Sequence, residues 1–326
     1  MTANSAILVG DVGGTHARFA VVDVAANTPW RVGQRLDLDE AFPTFAAALR
    51  TYMQRMSIVA APAAAVIAVA GPVVDGKASF TNRHWQISEQ ELQAVGFKNA
   101  LVINDFSALA LAVDVLTDAD LRRIGPDLPG VRHAPISIMG AGTGFGVSCL
   151  AHSGDVAVPI ATEGGHIAFG PSDDQEVALL QYLSRQFGRV SVERLLSGPG
   201  IENIYRAHQA LGGRPVLDLS APEITARAAG GDADCEGVLA SFCAIFGAVA
   251  GDIALAHGAR GGVYLAGGIA IKIQDVLARS AFRARFEQKG RLSPYVKAIP
   301  TRLILNDDVA LIGAARAGRT LIHAAR

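Results

Sequence analysis

The apolar runs AILVGDV and ARFAVVDV flank the short segment GGTH, a pattern that predicts a β-hairpin turning around Gly13 and Gly14. Downstream, FPTFAAALRTYMQRM carries apolar residues at helical spacing, and AAVIAVAGPV reads as a short buried strand. SEQE (residues 88–91) is a capping box that opens a helix. ALVIN predicts a further strand, and the apolar helix that follows begins directly after Asp105. The first third therefore alternates strand and helix behind an initial hairpin, an α/β pattern.

Near Pro135 the pattern restarts. PISIMGAGTGFGVSCLAH is again an apolar strand, a Gly/Thr turn and a second apolar run, in the same form as the opening hairpin. Two such hairpins, each opening an α/β unit, predict a duplicated architecture with a cleft between its halves. EVALLQYLSRQFG and GIENIYRAHQALGG follow as helices, GGVYLAGG as a buried strand, and TRLILNDDVALIGAARAG as a closing strand, turn and helix. Residues 237–258 form a long apolar segment whose length alone would allow a membrane span. Asp252 interrupts it, no Lys/Arg bias flanks it and a strand follows at once, so a buried helix is the better reading.

Composition narrows the classes. The 326 residues are 50% hydrophobic and 18% charged, enough for a sizeable core, and the net charge of −1 offers no footprint for nucleic acid or an anionic membrane. Cys149, Cys235 and Cys243 make neither a zinc pattern nor a disulfide framework, which suits a reducing cytoplasm. The opening MTANSAILVGD has no basic region followed by a long apolar one, so no signal peptide is expected.

The chemistry gathers at the turns. Glycines in GDVGGTHAR let backbone N–H groups face an anion such as phosphate, and Thr15 adds a hydroxyl. Asp11 suits that place if Mg²⁺ stands between it and the phosphate, through water. A plain hairpin turn accounts for the glycines equally well. GAGTGFG (residues 140–146) repeats the Gly/Thr chemistry but fails as a dinucleotide fingerprint, because the last required glycine falls on Phe145 or Val147. No G-x-x-x-x-G-K-[ST] loop is present. Two hairpins holding one polyphosphate is the functional reading that remains. Gly267 and Gly268 end a buried strand, where they serve either a flat ring's close approach or a turn needing positive φ. Glu163 and His166 flank two glycines; as a zinc site they lack a third ligand of suitable spacing. Glu193 opens a helix, where an acidic residue also complements the dipole. Asn104 and Asp105 end a strand, at the edge where α/β sheets bind ligands. Asp105 could serve only as a helix cap, but an adjacent amide and carboxylate suit a polyol, with Glu163, His166 and Glu193 as further hydroxyl partners.

Taken in order, LVGDVGGTHAR, TNRHW, INDF, GAGTGFGV, EGGHIAFGP, VSVERLLSGPG and GGVYLAGGI resemble the bacterial glucokinases of the proteobacterial type, within the hexokinase/actin-like ATPase superfamily. The resemblance runs from Ile7 to LIGAARAG. It implies ATP-dependent, Mg²⁺-assisted phosphorylation of D-glucose to glucose 6-phosphate, the first step of glycolysis, by a cytoplasmic homodimer without structural zinc. It implies a two-domain α/β actin-like (ribonuclease H-like) fold, with residues 1–110 plus 301–326 as the small α/β domain and 111–300 as the large α+β domain. By the same resemblance Asp105 is the catalytic base, and Asn104, Asp105, Glu163, His166 and Glu193 bind glucose. Gly10, Asp11, Val12, Gly13, Gly14 and Thr15 form one ATP phosphate loop, Gly142 and Thr143 the second, and Gly267 with Gly268 the adenosine motif. His16 stands where the family often has Asn. The two domains are expected to close on glucose and exclude water. A kinase for another sugar shares this scaffold. A sugar-sensing regulator is disfavoured by the intact Asp105 and the lack of a basic face.

Overall fold

In the computed structural model, which describes residues 6–13, 17–23, 36–37, 42–79 and 85–324, β1 (Ala6–Val12) and β2 (Ala17–Asp23) form the opening hairpin with Asp11 directly opposite Arg18. The chain divides into two units, Met1–Thr117 with Asn306–Arg326, and Asp118–Leu305.

In the first unit β3 (Leu36–Asp37) extends the hairpin, and α1 (Phe45–Arg55) leads to β4 (Ala64–Val69). The pair β5 (Lys77–Ser79) and β6 (Gln86–Ser88) precedes α2 (Glu89–Val95), β7 (Asn99–Asn104) and α3 (Asp105–Ala112). Among the described residues the main sheet runs β3-β2-β1-β4-β7. β4 lies parallel between β1 and β7 and all its residues are buried, which is why AAVIAV is continuously apolar rather than alternating. α2 starts as expected: the Ser88 side chain caps it, accepting from Glu91 N–H at 3.1 Å. One face of the sheet packs on an aromatic cluster of Phe19, Phe45, Tyr52 and Trp85. Against β1 and β4 lies the closing helix (Val309–Ala324), whose Gly318 approaches Ile7 and Val66.

In the second unit β8 (Leu121–Arg123), β9 (Ile136–Ala141), β10 (Phe145–Ser153) and β11 (Val156–Thr162) come first. Then follow α4 (Asp174–Phe187), α5 (Gly198–Leu211), α6 (Ala221–Ala229), α7 (Ala233–His257) and β12 (Gly262–Ala266). The short helices α8 (Gly268–Lys272), α9 (Gln274–Arg279), α10 (Phe282–Glu287) and α11 (Ser293–Lys297) lead to β13 (Thr301–Ile304). The sheet order is β11-β10-β9-β12-β13-β8. β9, β10 and β11 form an antiparallel meander and β12 and β13 add in parallel, the same arrangement as β1, β2, β3, β4 and β7. The duplication read from the two hairpins is therefore a duplication of strand order.

α7 is the core helix of this unit, and its Phe246 meets Phe145 and Phe282 edge to face at 5.6 and 5.5 Å. Gly247 and Gly251 let α10 approach so closely that a Cβ at either would collide with the carbonyls of Phe282 and Phe286. Asp252, the charge that interrupts the apolar run, projects outward and pairs with Lys289 at 2.7 Å. Among the described residues α7 is the one helix long and apolar enough to cross a membrane, and 72% of its apolar window is buried within the fold. All three cysteines lie in this unit, buried and unpaired, and burial pushes the Cys243 thiol up to about 12.

The expected domain breaks after residues 110 and 300 move to Thr117 and Leu305. The second shift has a plain cause. β13 was expected with the small domain, but it pairs with β12 and β8, so it belongs to the larger unit.

Candidate active site

Asn104 ends β7 and caps α3. Its Oδ1 accepts from the N–H groups of Phe106 (3.0 Å) and Ser107 (3.2 Å), and its Nδ2 donates to the Gly71 carbonyl and to Asp105 Oδ1, both at 3.0 Å. The cap that the sequence offered to Asp105 thus belongs to Asn104, whose amide is fully engaged at home. Asp105 is the first residue of α3, and its Oδ1 also accepts from Phe106 N–H at 2.9 Å. Burial pushes the Asp105 carboxyl up to about 7; the charge of Asp11 adds to the rise, while the Phe106 N–H and the Asn104 amide oppose it.

Asp11 sits at the end of β1, and Arg18 Nη2 pairs with its Oδ2 at 2.5 Å. Arg18 Nη1 also donates to the Asp307 carbonyl at 3.1 Å. Nothing in the residue pattern marks Arg18, although its place opposite Asp11 follows from the hairpin register once the turn length is known. Gly10 faces Ile67 and Phe19 so closely that a Cβ would touch both, which makes it a packing glycine. Val12 is buried and Gly13 partly exposed. Gly14, Thr15 and His16 lie outside the described residues, as do residues 81–84 of TNRHW.

In the second unit the turn of residues 142–144 joins β9 to β10. Gly142 N–H donates to the Gly144 carbonyl at 2.8 Å, and the Gly142 carbonyl accepts from Gly198 N–H at 2.9 Å. Thr143 is exposed, and neither its N–H nor that of Gly144 has a partner among the described residues. Two amides and a hydroxyl at an exposed turn are suited to an anion.

Three segments meet at Phe145, the first residue of β10. Its N–H donates to Glu193 Oε2 at 2.9 Å. Its carbonyl faces the Cα of Gly165, leaving no room for a side chain there, and Gly164 packs likewise on Val147. The Thr162 hydroxyl donates to the Val147 carbonyl at 2.8 Å and accepts from Gly164 N–H at 3.3 Å. The EGGH turn is thereby fixed to β10, and it presents Glu163 and His166 side by side, their Oε2 and Nε2 3.9 Å apart and both exposed. Val192 N–H bonds the Ile167 carbonyl at 3.0 Å, tying the Glu193 turn to the same strip. Glu193 lies in a single 3₁₀ turn, Val192–Arg194, so its carboxylate serves the Phe145 amide rather than an α-helix dipole. Among the described residues no three His, Cys, Asp or Glu side chains converge to hold a metal ion.

At the β12 edge Gly267 has φ +90° and packs against the Ala141 backbone, so a turn requirement accounts for it. A Cβ at Gly268 would meet open space, which leaves that position accessible to a flat ring.

A protein-family model described as Glucokinase matches residues 8–321. A glucokinase of Caulobacter sp. (strain K31) is 49% identical over 309 residues, covering 94% of this chain and 93% of that one. A glucokinase of Xanthomonas oryzae pv. oryzae (strain MAFF 311018) is 41% identical, with 97% and 96% covered. The crystal structure of a glucokinase from an Antarctic psychrotroph superposes with a TM-score of 0.88 at 36% identity, over 97% of this chain and 99% of that one. With the family model spanning nearly its whole length and relatives this similar, the chain belongs to the glucokinase family.

Proposed function

We propose that this enzyme, which phosphorylates D-glucose with ATP to give glucose 6-phosphate, uses Asp105 as its general base. The observation that carries the assignment is a carboxylate at the carboxyl end of β7, in the parallel part of the sheet, locked by Phe106 N–H and the Asn104 amide and raised to about 7. A base with its pKa near the working pH both ionises and accepts a proton effectively. Asp105 holds the glucose 6-hydroxyl by its proton and accepts that proton late, because phosphoryl transfer proceeds through a loose transition state governed by positioning and charge. Thr143 and the Gly144 N–H supply donors to the phosphates. Glu163, His166 and Glu193 hold sugar hydroxyls, and a site built on such bonds rejects analogues that lack them.

Asn104 enters this reading first as the residue that orients Asp105, since contact with the sugar requires one of its four bonds to be exchanged. Mg²⁺ fits the first unit: the Asp11 charge is near enough to raise Asp105, and a hard cation held through water by Asp11 suits two carboxylates so placed. When bound it neutralises charge on the phosphate oxygens. Arg18 holds Asp11 in orientation. Gly267 and Gly268 border the adenosine. Free, buried cysteines support a cytoplasmic setting. The family resemblance supports a homodimer, which sedimentation velocity tests.

The test is ADP formation with MgATP and a panel of hexoses. Turnover with glucose far above mannose, fructose and amino sugars is expected; a different preferred sugar reassigns the substrate and keeps the chemistry. The pH profile tests the base. Asp105 must be ionised to act, so kcat/KM is expected to be flat above about 7 and to fall about tenfold per pH unit below it. A profile still flat at pH 5.5 removes Asp105 from the role.

A further inference from the structure

We propose that the Glu193 carboxylate is shared between the sugar and the 142–145 turn, and that Gly144 thereby sets glucose affinity without touching glucose. The inference rests on the assignment of Glu193 to sugar binding given above and adds a positioning role to it. Glu193 Oε2 accepts the Phe145 N–H at 2.9 Å, and no bond to Oε1 occurs among the described residues, which leaves that oxygen for a hydroxyl.

Gly144 is the residue that permits this. Its φ lies outside the left-handed region, so backbone conformation does not call for glycine. What does call for it is the carboxylate itself: a Cβ at position 144 would stand 2.5 Å from Glu193 Oε2, and the nearest backbone is not in the way. The turn is braced from the other side by Gly198 N–H on the Gly142 carbonyl, and Ser197 Oγ donates to the Glu193 carbonyl at 2.8 Å. The turn and the main chain of Glu193 are therefore held in one frame, and the Phe145 N–H bond is what ties the carboxylate to the turn. A sugar that pulls on Oε1 orients Oε2, and Oε2 fixes the amide that ends the phosphate turn. Sugar occupancy and phosphate binding are coupled through one side chain, a contact chain within a single unit.

Gly144→Ala, Glu193→Gln, Glu193→Ala and the double variant Glu193→Ala/Gly144→Ala decide the matter. Glucose Kd is measured by calorimetry and the MgATP KM by steady-state kinetics. Gly144→Ala is expected to displace the carboxylate and raise the glucose Kd about tenfold or more, the effect of losing a hydrogen bond to a charged group. In the Glu193→Ala background the same change is expected to add nothing, because the group it displaces is gone. Wild-type glucose affinity in Gly144→Ala, or a full additional loss in the double variant, overturns the proposal.

If Gly144→Ala does not fold, the Glu193 pair decides. Glutamine keeps an acceptor for Phe145 N–H, so Glu193→Gln is expected to hold the MgATP KM near wild type, whereas Glu193→Ala raises it severalfold. Equal MgATP KM in wild type and Glu193→Ala overturns the proposal. Absence of glucose binding in the wild-type enzyme instead overturns the assignment of the site, a separate outcome.

Discussion

Asp105→Asn is expected to lower kcat by ~10²–10⁴ while the protein folds and still binds glucose, the usual cost of removing a general base. The substitution is nearly isosteric, and an asparagine Oδ1 can keep the bonds from Phe106 N–H and Asn104 Nδ2. Retention of more than roughly a tenth of wild-type kcat refutes the base, since that loss lies far below the general-base range. A second, independent signature concerns stability. The carboxyl titrates near 3.8 when unfolded and about 7 when folded, so between those values the folded state holds the extra proton. Stability therefore falls as pH rises from about 4 to about 7 and stays reduced above that. Asparagine does not titrate, so the variant is expected to be the more stable protein at pH 8 and equal to wild type near pH 4. Asp105 is partly open to solvent, which brings the expected gain down to about 1–2 kcal/mol. Urea midpoints at the two pH values measure it, and the wild-type enzyme proving the more stable at pH 8 contradicts the buried charge.

Gly313→Ala carries the second large effect. Gly313 lies in the closing helix, where an added Cβ would collide with the carbonyl and Cα of Ala108 in α3. The obstacle is helix backbone, which cannot swing aside as a side chain does. Arg316, one turn further on, donates to the Leu111 carbonyl at 2.8 Å and pairs with Asp114 at 2.9 Å, holding the helices at that distance. Overpacking at such a crossing costs about 1–3 kcal/mol, and a fall in Tm on the order of 5–10 °C is expected. Because α3 begins with Asp105, the same change is expected to lower kcat at least tenfold with glucose KM altered less, the mark of a displaced reacting group. An unchanged Tm and kcat shows that the helices can part freely. These measurements separate the two variants: one loses turnover and gains stability, the other loses both.

Much of this architecture was legible in the chain because its signals are local. β4 is recognisable from an uninterrupted apolar run, α2 from Ser88 three residues before Glu91, and the duplication from two Gly/Thr hairpins of the same form. β11 is illegible in the chain: it is an edge strand whose residues are largely exposed, so no burial pattern marks it. β13 pairs with β12 and β8, both distant in sequence, so the local pattern alone leaves it with the closing helix that follows it. Among site residues, Asn104 and Asp105 stand out as polar groups at an apolar strand's end. The roles of Arg18, Gly144 and the Phe145 amide depend on register and close approach across turns, and composition carries no trace of either. Asn104 itself shows the limit: its residue type suggested a sugar ligand, and its four local bonds make it first a cap.

The distribution of thiols gives the experimenter an uneven but useful reporter. All three lie in Asp118–Leu305 and the other unit has none, so exchange with a maleimide or a disulfide reagent times the opening of one half of the molecule alone. Cys149 sits on β10, the strand that carries the Phe145 amide, while Cys235 and Cys243 sit on α7. Labelling followed by peptide mapping in the presence and absence of glucose would thus tell whether the sugar protects the sheet, the helix core or both as one cooperative block.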